Sequence, residues 1–296
     1  MIIVLGSVNL DISFTVSRLP GPGETVLAKS YLTSPGGKGA NQACAAAKAG
    51  AQTAFFGKVG QDSFASTALA GMADAGVDLH GVSAAKAGTG CATIAVDAQA
   101  ENAIVVGSAA NLEVTHDQVP DELLSEPSML LLQMEIPYGE NWRIIERARQ
   151  KGCKVLLNVA PYGDVPRTAL EGVDILIVNE TEARQLAGSK TVNLESLARE
   201  LSERHNLTTV MTLGSAGVLS TGPAGLLRVP THAVEAVDTT GAGDTFCGCL
   251  AAAMDQGEDL PAALAFANAG AALACTRAGA QTAQPNRSEI LSLLSD

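Results

Sequence analysis

Short apolar runs alternate with longer amphipathic or alanine-rich stretches along most of the chain. The short runs are rich in Val, Ile and Leu, which is typical of parallel strands covered on both faces, and they span residues 1–5, 53–59, 129–133, 154–158, 174–178 and 210–213. The longer stretches predict helices at residues 62–75, 141–150 and 260–277, and an alanine-rich helix that ends at Ala49. We expect Gly279 to cap the helix at 260–277. The alternation predicts an α/β fold with three layers, α/β/α, around a mostly parallel sheet.

A second group of strand patterns lies outside this alternation. Four short segments, joined in pairs by a loop of prolines and glycines and by a polar turn, have the composition of strands: residues 12–16 and 25–31, and residues 91–96 and 102–106. They predict a small β-sheet lid made from two insertions, at about 10–33 and 90–107. No linker or repeat interrupts the remaining pattern, so we expect one domain over residues 1–296.

Residues 235–250 form a glycine-rich segment in which an apolar strand is predicted to end, a loop to turn at Gly241 and Gly243, and a helix to begin. Glycines allow several backbone N–H groups to converge, and the first turn of a helix leaves more of them unpaired. The segment therefore suits an anion such as a transferring phosphoryl group. Asp244 lies within it. This carboxylate is either a simple helix cap or the base that takes a proton from an attacking hydroxyl group.

A second glycine-rich segment, residues 34–43, also leads into a helix. Lys38 is followed by Gly39 and not by Ser or Thr, so the segment is not a P-loop for nucleotide phosphates. Backbone N–H groups, a lysine and the amide of Asn41 can bind the vicinal hydroxyl groups of a sugar at close range. The alternative interpretation is a tight turn that packs against the lid.

Polar residues follow several predicted strands, where ligands of α/β sheets usually bind. Asp11 is either a ligand-facing carboxylate or a turn residue. Glu182, which closes the segment Asn179-Glu-Thr-Glu, is either an acid on a helix dipole or a residue that places Mg²⁺ beside nucleotide phosphates. The turn at 214–217 could line a nucleotide. Asn268 is either a core amide or a nucleotide contact.

Composition excludes several classes of function. The chain has 31 acidic and 19 basic residues and a net charge of −12, which argues against binding to nucleic acid or to an anionic membrane. An anionic nucleotide would need local donors and a metal ion. No apolar stretch is long enough to span a bilayer, and the amino terminus lacks a basic leader, so we expect a cytoplasmic protein.

The cysteines and histidines do not predict a metal site. Six cysteines lie in strand-like or helix-like runs without Cys-x-x-Cys spacing, which indicates buried apolar thiols. Cys247 and Cys249 point about 200° apart on a helix and cannot chelate one ion together. The four histidines show no ligand spacing.

The string Asp-Thr-Thr-Gly-Ala-Gly-Asp at 238–244 resembles, residue for residue, the C-terminal signature of the ribokinase-like (PfkB) family of sugar kinases. Further segments resemble the ribokinase branch of that family in the same order along the chain: Asn9-x-Asp11 and residues 23–26, 36–42, 133–135, 179–182 and 212–215. The resemblance covers nearly the whole chain. It implies ATP-dependent phosphorylation of D-ribose at the 5-hydroxyl, with Asp244 as the base.

The resemblance also implies roles for individual residues. The anion hole would be formed by Gly241, Ala242, Gly243 and Asp244. The sugar would be bound by Asn9, Asp11, Gly37, Lys38, Gly39, Asn41, Glu135 and Asp244. The nucleotide would be held by Asn179, Thr212, Gly214, Ser215, Gly217, Gly243 and Asn268. Glu182 would help to place Mg²⁺, and an activating K⁺ would be bound near Asp238, Thr240, Ala274, Arg277, Gly279 and Ala283, of which Ala283 lacks the hydroxyl that some relatives offer.

Members of this family often pair their lid strands across a dimer, so the resemblance implies a homodimer. Two other functions stay open. A kinase for 2-deoxyribose, a ketose or a nucleoside such as pseudouridine would keep the anion loop and differ around the sugar. A non-catalytic sugar-binding regulator would have little use for a carboxylate beside a phosphate.

Overall fold

The computed structural model describes residues 1–99, 101–188, 191 and 193–295, so residue 100 of the second predicted insertion lies outside the described residues. In chain order the strands are β1 (Ile2–Leu5), β2 (Asn9–Thr15), β3 (Ser30–Gly36), β4 (Thr53–Val59), β5 (Asp78–Ala84), β6 (Gly90–Val96), β7 (Asn102–Gly107), β8 (Met129–Leu132), β9 (Lys154–Asn158), β10 (Ile175–Asn179), β11 (Thr208–Thr212), β12 (Val218–Gly222) and β13 (Gly225–Val229). The α-helices are α1 (Lys38–Lys48), α2 (Phe64–Asp74), α3 (Tyr138–Lys151), α4 (Arg167–Leu170), α5 (Glu180–Ala187), α6 (Leu194–His205), α7 (Ala242–Asp255), α8 (Leu260–Ala274) and α9 (Arg287–Ser295).

Nine of the described strands form one sheet in the order β13, β12, β11, β10, β9, β8, β1, β4, β5. Neighbouring strands are parallel from β5 to β11, and β12 and β13 are antiparallel. β1 lies between β4 and β8, where Ile2 pairs with Thr53 on one side and with Met129 on the other. The predicted mostly parallel sheet is confirmed.

Apolar cores cover both faces of this sheet, because successive residues of a strand point to opposite sides. Ile2 and Val4 of β1 pack with side chains of α1, α7 and α8. Ile3 and Leu5 pack with side chains of α3 and α6. The α/β fold with three layers is therefore confirmed.

A second sheet of four strands, in the order β3, β2, β6, β7, stands beside the large one. Its strands come from the two predicted insertions, but the predicted strand at 25–31 is wrong. β3 begins at Ser30 and runs antiparallel to β2. Ser30 pairs with Thr15 at one end, and Gly36 pairs with Asn9 at the other. This pairing carries the chain straight to the first turn of α1, so the β-branched residues before Ser30 remain in the loop.

Three further expectations differ from the structure. β5, whose sequence Asp-Leu-His-Gly-Val-Ser-Ala is polar, was not predicted because it is an edge strand with one neighbour. No strand precedes the loop at Gly241: β13 ends at Val229 and Pro230 follows it. α8 ends at Ala274, and the carbonyl of Cys275 accepts N–H groups of 237 and 238, so Gly279 lies in a turn beyond the helix and does not cap it.

Within the described residues, no helix combines the length and the apolar character that crossing a membrane requires. All six cysteines are free thiols. Cys247 and Cys249 are buried as the sequence predicted, and so are Cys44 and Cys153, but Cys91 and Cys275 are only half-buried, so the prediction of a buried thiol is wrong at these two positions. Burial raises the pKa of the Cys249 thiol to about 12.

Candidate active site

The polar residues predicted from the strand ends meet at the carboxyl edge of the large sheet, beneath the second sheet. Three adjoining cavities of about 410, 150 and 530 Å³ lie along this edge. The first includes Asn9 and Glu135, the second Lys38 and Asp244, and the third Thr212. The second and third cavities share Thr212 and Gly243, so a ligand in the larger of the two can reach Asp244.

Asp244 lines the 150 Å³ cavity and lies in the first turn of α7. Gly241 is the N-cap residue of that helix, with a φ of 73° that favours glycine, and the carboxylate does not cap the helix. Its two oxygens instead accept hydrogen bonds from α1: Oδ2 from Asn41 Nδ2 at 2.9 Å and Oδ1 from Gln42 Nε2 at 3.0 Å. The side chain is only 6% exposed. Asp244 is therefore a buried carboxylate held by two neutral amides.

The first turn of α7 also offers backbone donors. Helix geometry supplies no acceptor for the N–H groups of Gly243 and Asp244. A Cβ built on Gly243 would meet no atom within 4 Å, so this part of the loop borders open space. Gly243 lines both the 150 Å³ and the 530 Å³ cavities. An anion could reach these donors from the cavity.

Glu135 is fixed beside the first turn of α1. Its Oε2 accepts the hydroxyl of Ser7 at 2.7 Å and the backbone N–H of Lys38 at 3.0 Å. The backbone N–H of Gly39 in turn donates to Ser7 Oγ at 3.2 Å. A Cβ on Gly39 would lie 2.6 Å from the backbone nitrogen of Ser7, so this close approach requires glycine. The arrangement leaves the second oxygen of Glu135 for a ligand.

Asn9 is oriented by a residue that the sequence reasoning missed. Asn111 Nδ2 donates to Asn9 Oδ1 at 2.7 Å, and Asn111 Oδ1 accepts the backbone N–H of Val8 at 3.0 Å. With its oxygen occupied, the amide of Asn9 presents its NH₂ group to the 410 Å³ cavity. Gly37 lies against this turn with a φ of 88°, and a Cβ there would come within 2.9 Å of Asn9 N.

The carboxylates and the lysine of the site influence one another. Burial, with smaller contributions from Glu135 and Asp244, raises the pKa of Asp11 to about 6. The Asp244 carboxylate raises the pKa of Lys38 above its ordinary value, against the effect of burial. Burial also raises the pKa of Glu182, because its hydrogen bond with Asn179 and the charge of Lys38 do not outweigh desolvation. The site therefore combines one lysine with several crowded carboxylates.

Asn179 and Glu182 form a reciprocal cap at the start of α5. The Asn179 N–H donates to Glu182 Oε2 at 2.7 Å, and Asn179 Oδ1 accepts the Glu182 N–H at 2.9 Å. Both side chains line the 150 Å³ cavity together with Asp244. Asn179 and Glu182 can therefore cap α5 and face a ligand in the cavity at the same time.

The 530 Å³ cavity brings together most residues expected to hold a nucleotide: Thr212, Gly214, Ser215, Gly217, Gly243 and Asn268. Asn179 lies instead in the neighbouring 150 Å³ cavity. Asn268 is buried and its Nδ2 donates to the carbonyl of Pro230 at 2.8 Å, so part of this amide has a structural role. The rest of the lining is largely apolar and suits a flat ring.

The residues expected around K⁺ come from two segments that meet behind the anion loop. Asp238 Oδ2 accepts the N–H of Gly279 at 2.9 Å, and Oδ1 accepts the N–H of Thr240 at 2.9 Å. Burial raises the pKa of Asp238, but these hydrogen bonds outweigh burial and hold that pKa below its ordinary value. The Arg277 guanidinium points away, to Glu289, so that only its main chain can face the segment. Ala274 and Ala283 are buried beside it.

A sequence profile of pfkB family carbohydrate kinases matches residues 1–287. The chain belongs to the PfkB family of carbohydrate kinases. A ribokinase of Haemophilus influenzae is 36% identical over 98% of this chain and 97% of its own length. The structure resembles a crystal structure of a Thermotoga maritima ribokinase, with a TM-score of 0.93, 33% identity and coverage of 100% and 99% of the two chains.

The PfkB fold is also shared with an Arabidopsis thaliana ribokinase whose structure was determined in complex with ribose and ATP. The TM-score is 0.92 and the identity 33%, over 100% of this chain and 98% of the other. The family assignment from residues 238–244 is thereby confirmed, and with it a sugar kinase.

Sequence reasoning about this PfkB kinase missed the residues that orient the predicted ligand contacts. They are Ser7, Gln42, Asn111, Gln133, Asn158 and Gln281. A signal existed for some of them, since Ser7 and Asn158 are polar residues at the ends of apolar strands, and Gln42 and Gln133 lie inside motifs quoted above. Gln281 carried none, because its partner Asn41 is 240 residues away.

Proposed function

We propose that this kinase transfers the γ-phosphoryl group of ATP to the 5-hydroxyl of D-ribose. The observation that carries the proposal is the buried Asp244 carboxylate at the first turn of α7, facing the same cavity as Lys38. A carboxylate inside an anion site is useful when it removes a proton from the attacking hydroxyl group. The relatives named ribokinase and the relative that binds ribose and ATP support D-ribose as the acceptor.

Sugar binding in this proposal uses the start of β2, the segment after β8 and the first turn of α1. The carboxylates of Asp11 and Glu135 accept hydroxyl groups, and Asn9 and Lys38 donate to them. The backbone at Gly37 and Gly39 and the remaining N–H of Asn41 complete the sugar site. These groups hold the 5-hydroxyl near Asp244, and such positioning supplies much of the rate enhancement in phosphoryl transfer.

Phosphoryl transfer then follows in line. The 5-hydroxyl oxygen attacks the γ-phosphorus, its proton passes to Asp244, and the bond between the γ-phosphorus and the β–γ bridging oxygen breaks to release ADP. The N–H groups of Gly243 and Asp244, for which the helix supplies no acceptor, stabilise the charge on the transferring group. The N–H of Ala242 donates to the carbonyl of Thr239 at 3.2 Å, so Ala242 is not the free donor that the sequence led us to expect. In this proposal the nucleobase end of ATP lies in the 530 Å³ cavity.

A Mg²⁺ ion fits the chemistry of Glu182. This carboxylate is 9% exposed, lines the cavity of Asp244 and uses only Oε2 in its hydrogen bond with Asn179. No group of three or more His, Cys, Asp or Glu in the described parts of the chain is arranged to hold a metal by itself. Glu182 would hold the ion together with nucleotide phosphates, whose charge Mg²⁺ neutralises.

A K⁺ ion fits the segment around Asp238, where a carboxylate and main-chain carbonyl groups lie together. The hydrogen bond from Gly279 and the close approach of Gly241 to Ala280, 3.1 Å from a built Cβ to Cα, join this segment to the anion loop. The carbonyl groups of Thr240, Ala274, Arg277, Gly279 and Ala283 are the further candidate ligands. A cation here would stabilise the loop that carries Asp244.

The second sheet acts as the lid and pairs with that of a second copy. Leu32, Ser13, Ile94 and Ile104 form one cross-strand row, in which Leu32 is 74% and Ile104 55% exposed. Asp11 lies on the same face, because it is two residues from Ser13. Contact with another lid would bury this row and close the sugar site from water.

The test is release of ADP from ATP and Mg²⁺, in the presence of K⁺, with D-ribose, 2-deoxyribose, fructose, adenosine and pseudouridine. Selective turnover of D-ribose is the expected result. Preferred turnover of another acceptor would replace ribose and keep the mechanism. If none of the five is phosphorylated, the proposed acceptor is wrong and a binding role gains support.

A further inference from the structure

Two chains of buried side-chain amides converge on Asp244, and only one of them, through Asn41, also belongs to the proposed sugar site. Asn41 and Gln42 are consecutive residues of α1, and each donates to a different oxygen of Asp244. Each is in turn bound by another glutamine. Gln281 Nε2 donates to Asn41 Oδ1 at 3.0 Å, and Gln133 Nε2 donates to Gln42 Oε1 at 2.8 Å.

These outer glutamines determine which end of each amide faces Asp244. An amide group has one accepting oxygen and one donating nitrogen. Because Gln133 already occupies the oxygen of Gln42, the nitrogen of Gln42 must point to the carboxylate. Reversing that amide would leave buried polar groups unpaired, at a cost of about 1–3 kcal/mol for each. The direction from Gln42 to Asp244 is therefore fixed by the acceptors on the nitrogen side, Asp244 and Asn158, and by the donor Gln133 on the oxygen side, although Gln133 Oε1 itself has no partner among the described residues.

Gln42 uses all of its side-chain polar groups inside the protein. Its Nε2 also donates to Asn158 Oδ1 at 3.1 Å, and Asn158 Nδ2 donates to the carbonyl of Ile177 at 3.2 Å. Gln42 is 0% exposed and Gln133 1% exposed, so neither can touch a substrate. Asn41, by contrast, retains a free N–H and belongs to the proposed sugar site.

We infer that Gln42, oriented by Gln133, is a positioning residue that donates to the Asp244 carboxylate and keeps it turned toward the acceptor hydroxyl. The inference rests on the proposed role of Asp244 as the base. A carboxylate that loses one of two buried N–H donors is less stable as an anion and freer to rotate. Loss of Gln42 should thus affect the proton transfer and spare the binding of sugar and nucleotide.

The experiment compares Gln42→Met, Gln133→Met and the double variant with the unmodified enzyme, by steady-state kinetics with D-ribose and ATP between pH 5 and 9. Methionine keeps the length of glutamine and removes its hydrogen bonds. Gln284→Met is the matched control. Gln284 is 3% exposed and also donates to α1, but to the main-chain carbonyl of Asn41 at 2.8 Å and not to the amides that reach Asp244.

For Gln42→Met we expect kcat to fall about 10- to 100-fold, the loss that follows from one hydrogen bond to a charged group. The KM values for sugar and ATP should stay within a factor of about 2, and the acidic limb of the kcat profile should move to higher pH. Gln133→Met should shift the same limb by less. The double variant should be no worse than Gln42→Met alone, because both act through one donor.

If kcat and the acidic limb of the pH profile are unchanged in Gln42→Met, the inference is overturned. It is also overturned if the losses in kcat of the two single variants multiply in the double variant and the pH profile of kcat does not shift. If Gln42→Met does not fold, Gln133→Met alone tests the same point, because it leaves Gln42 in place and removes only the donor to its oxygen. The control Gln284→Met should keep the pH profile of the unmodified enzyme.

A second readout separates this inference from the proposed function. The ¹³C signal of the Asp244 carboxyl group, assigned through its loss in Asp244→Asn, can be titrated with and without Gln42→Met in the absence of substrate. A titration midpoint that moves to higher pH in Gln42→Met supports the positioning role even if D-ribose is not the acceptor. An unmoved midpoint overturns it even if the enzyme phosphorylates D-ribose as proposed.

Discussion

Gly248 lies directly against Gln42: a Cβ built on Gly248 would come within 2.4 Å of the main-chain oxygen of Gln42 and 2.6 Å of the Ala45 methyl group. Gly248 is one helical turn beyond Asp244 on α7 and faces α1. The missing side chain lets the two helices approach until the amides of α1 reach the carboxylate. Gly248 is therefore required both for the packing of α1 against α7 and for the position of the Asp244 carboxylate in the proposed mechanism.

Replacing Gly248 with alanine should separate α1 from α7. We expect the free energy of unfolding to fall by about 1–3 kcal/mol, the usual cost of inserting a methyl group into a packed core. We also expect kcat to fall while the KM for ATP changes little. Urea unfolding and steady-state kinetics measure the two effects.

Gly139→Ala is the matched control for Gly248→Ala. A Cβ on Gly139 would meet no atom within 4 Å, although this residue also lies in a helix. In the control kcat should be unchanged, and the free energy of unfolding should be unchanged or about 0.4–1 kcal/mol higher, because alanine loses less conformational entropy than glycine on folding. Equal behaviour of the two variants would contradict the proposed contact.

The case of Gly248 shows what the sequence could and could not predict. Apolar runs such as 154–158 predicted strands of the large sheet because burial on both faces leaves a local pattern. The glycine-rich loop at 241–243 is also a local pattern, and it predicted the turn that begins α7. The partners of Asp244 come from residues 202 and 203 positions away, and no local pattern contains that distance.

The same limit explains the errors at the edges of elements. The β-branched residues at 25–29 favoured a strand, but pairing of β2 with β3 decided where the strand begins. β5 has a polar sequence because one side of an edge strand has no neighbour. Strands are predicted from runs of apolar residues, which reflect burial. Edge strands are less buried, so their sequences lack such runs.

Asp244→Asn should abolish most of the turnover. A positioned general base contributes about 10² to 10⁴ in rate, so we expect kcat to fall at least about 10²-fold with little change in sugar affinity. Asp255→Asn is the control, because Asp255 lies at the other end of α7 and pairs with the N-terminal amine at 2.7 Å. Near-normal kcat in Asp244→Asn would show that Asp244 is not the base.

Asp11 should make sugar binding depend on pH. Its pKa is raised to about 6, so the carboxylate that accepts sugar hydroxyl groups becomes protonated as the pH falls through that value. The dissociation constant for D-ribose, measured by calorimetry, should therefore rise as the pH falls from 7 to 5. The variant Asp11→Asn should bind more weakly at pH 8 and show no such dependence. A flat profile in the unmodified enzyme would contradict the role of Asp11.

Asp11 should also make the free energy of unfolding depend on pH. An ion-paired acid stabilises the folded state as the pH rises, whereas Asp11 should destabilise it. Since the folded pKa lies above the model-peptide value of 3.8, the folded state binds more protons than the unfolded state between about pH 4 and 6. The contribution of Asp11 to stability is thus lost as the pH rises through this window. Asp11→Asn should be about 1–3 kcal/mol more stable than the unmodified protein at pH 8, and the difference should shrink toward pH 4. Urea unfolding at several pH values measures it.

K⁺ should activate the enzyme through the segment at Asp238. Its carboxylate binds the N–H groups of Thr240 and Gly279 and thereby joins the anion loop to the turn after α8. We expect higher turnover in K⁺ than in tetramethylammonium, an ion too large for such a site. Asp238→Asn should reduce the difference. Equal rates in the two salts would remove K⁺ from the mechanism.

The lid should hold two copies of the chain together through one face. Leu32 and Ile104 lie in the same cross-strand row as Ser13 and Ile94, so aspartate at either position would place a charge in the expected contact. We expect the unmodified protein to sediment as a dimer at micromolar concentration and the double variant Leu32→Asp, Ile104→Asp to sediment as a monomer. Burial of each of these side chains is worth about 1.5–3 kcal/mol, which the charge would forfeit.

Val105 provides the control for the dimer prediction, because it neighbours Ile104 on β7 and is 70% exposed on the opposite face of the sheet. Val105→Asp should leave the dimer intact. A monomeric unmodified protein would contradict the contact, and dissociation by Val105→Asp alone would place it on the other face. The monomeric double variant should also bind D-ribose more weakly, since the row that it disrupts lies on the face of Asp11 and closes the sugar site only when it is covered.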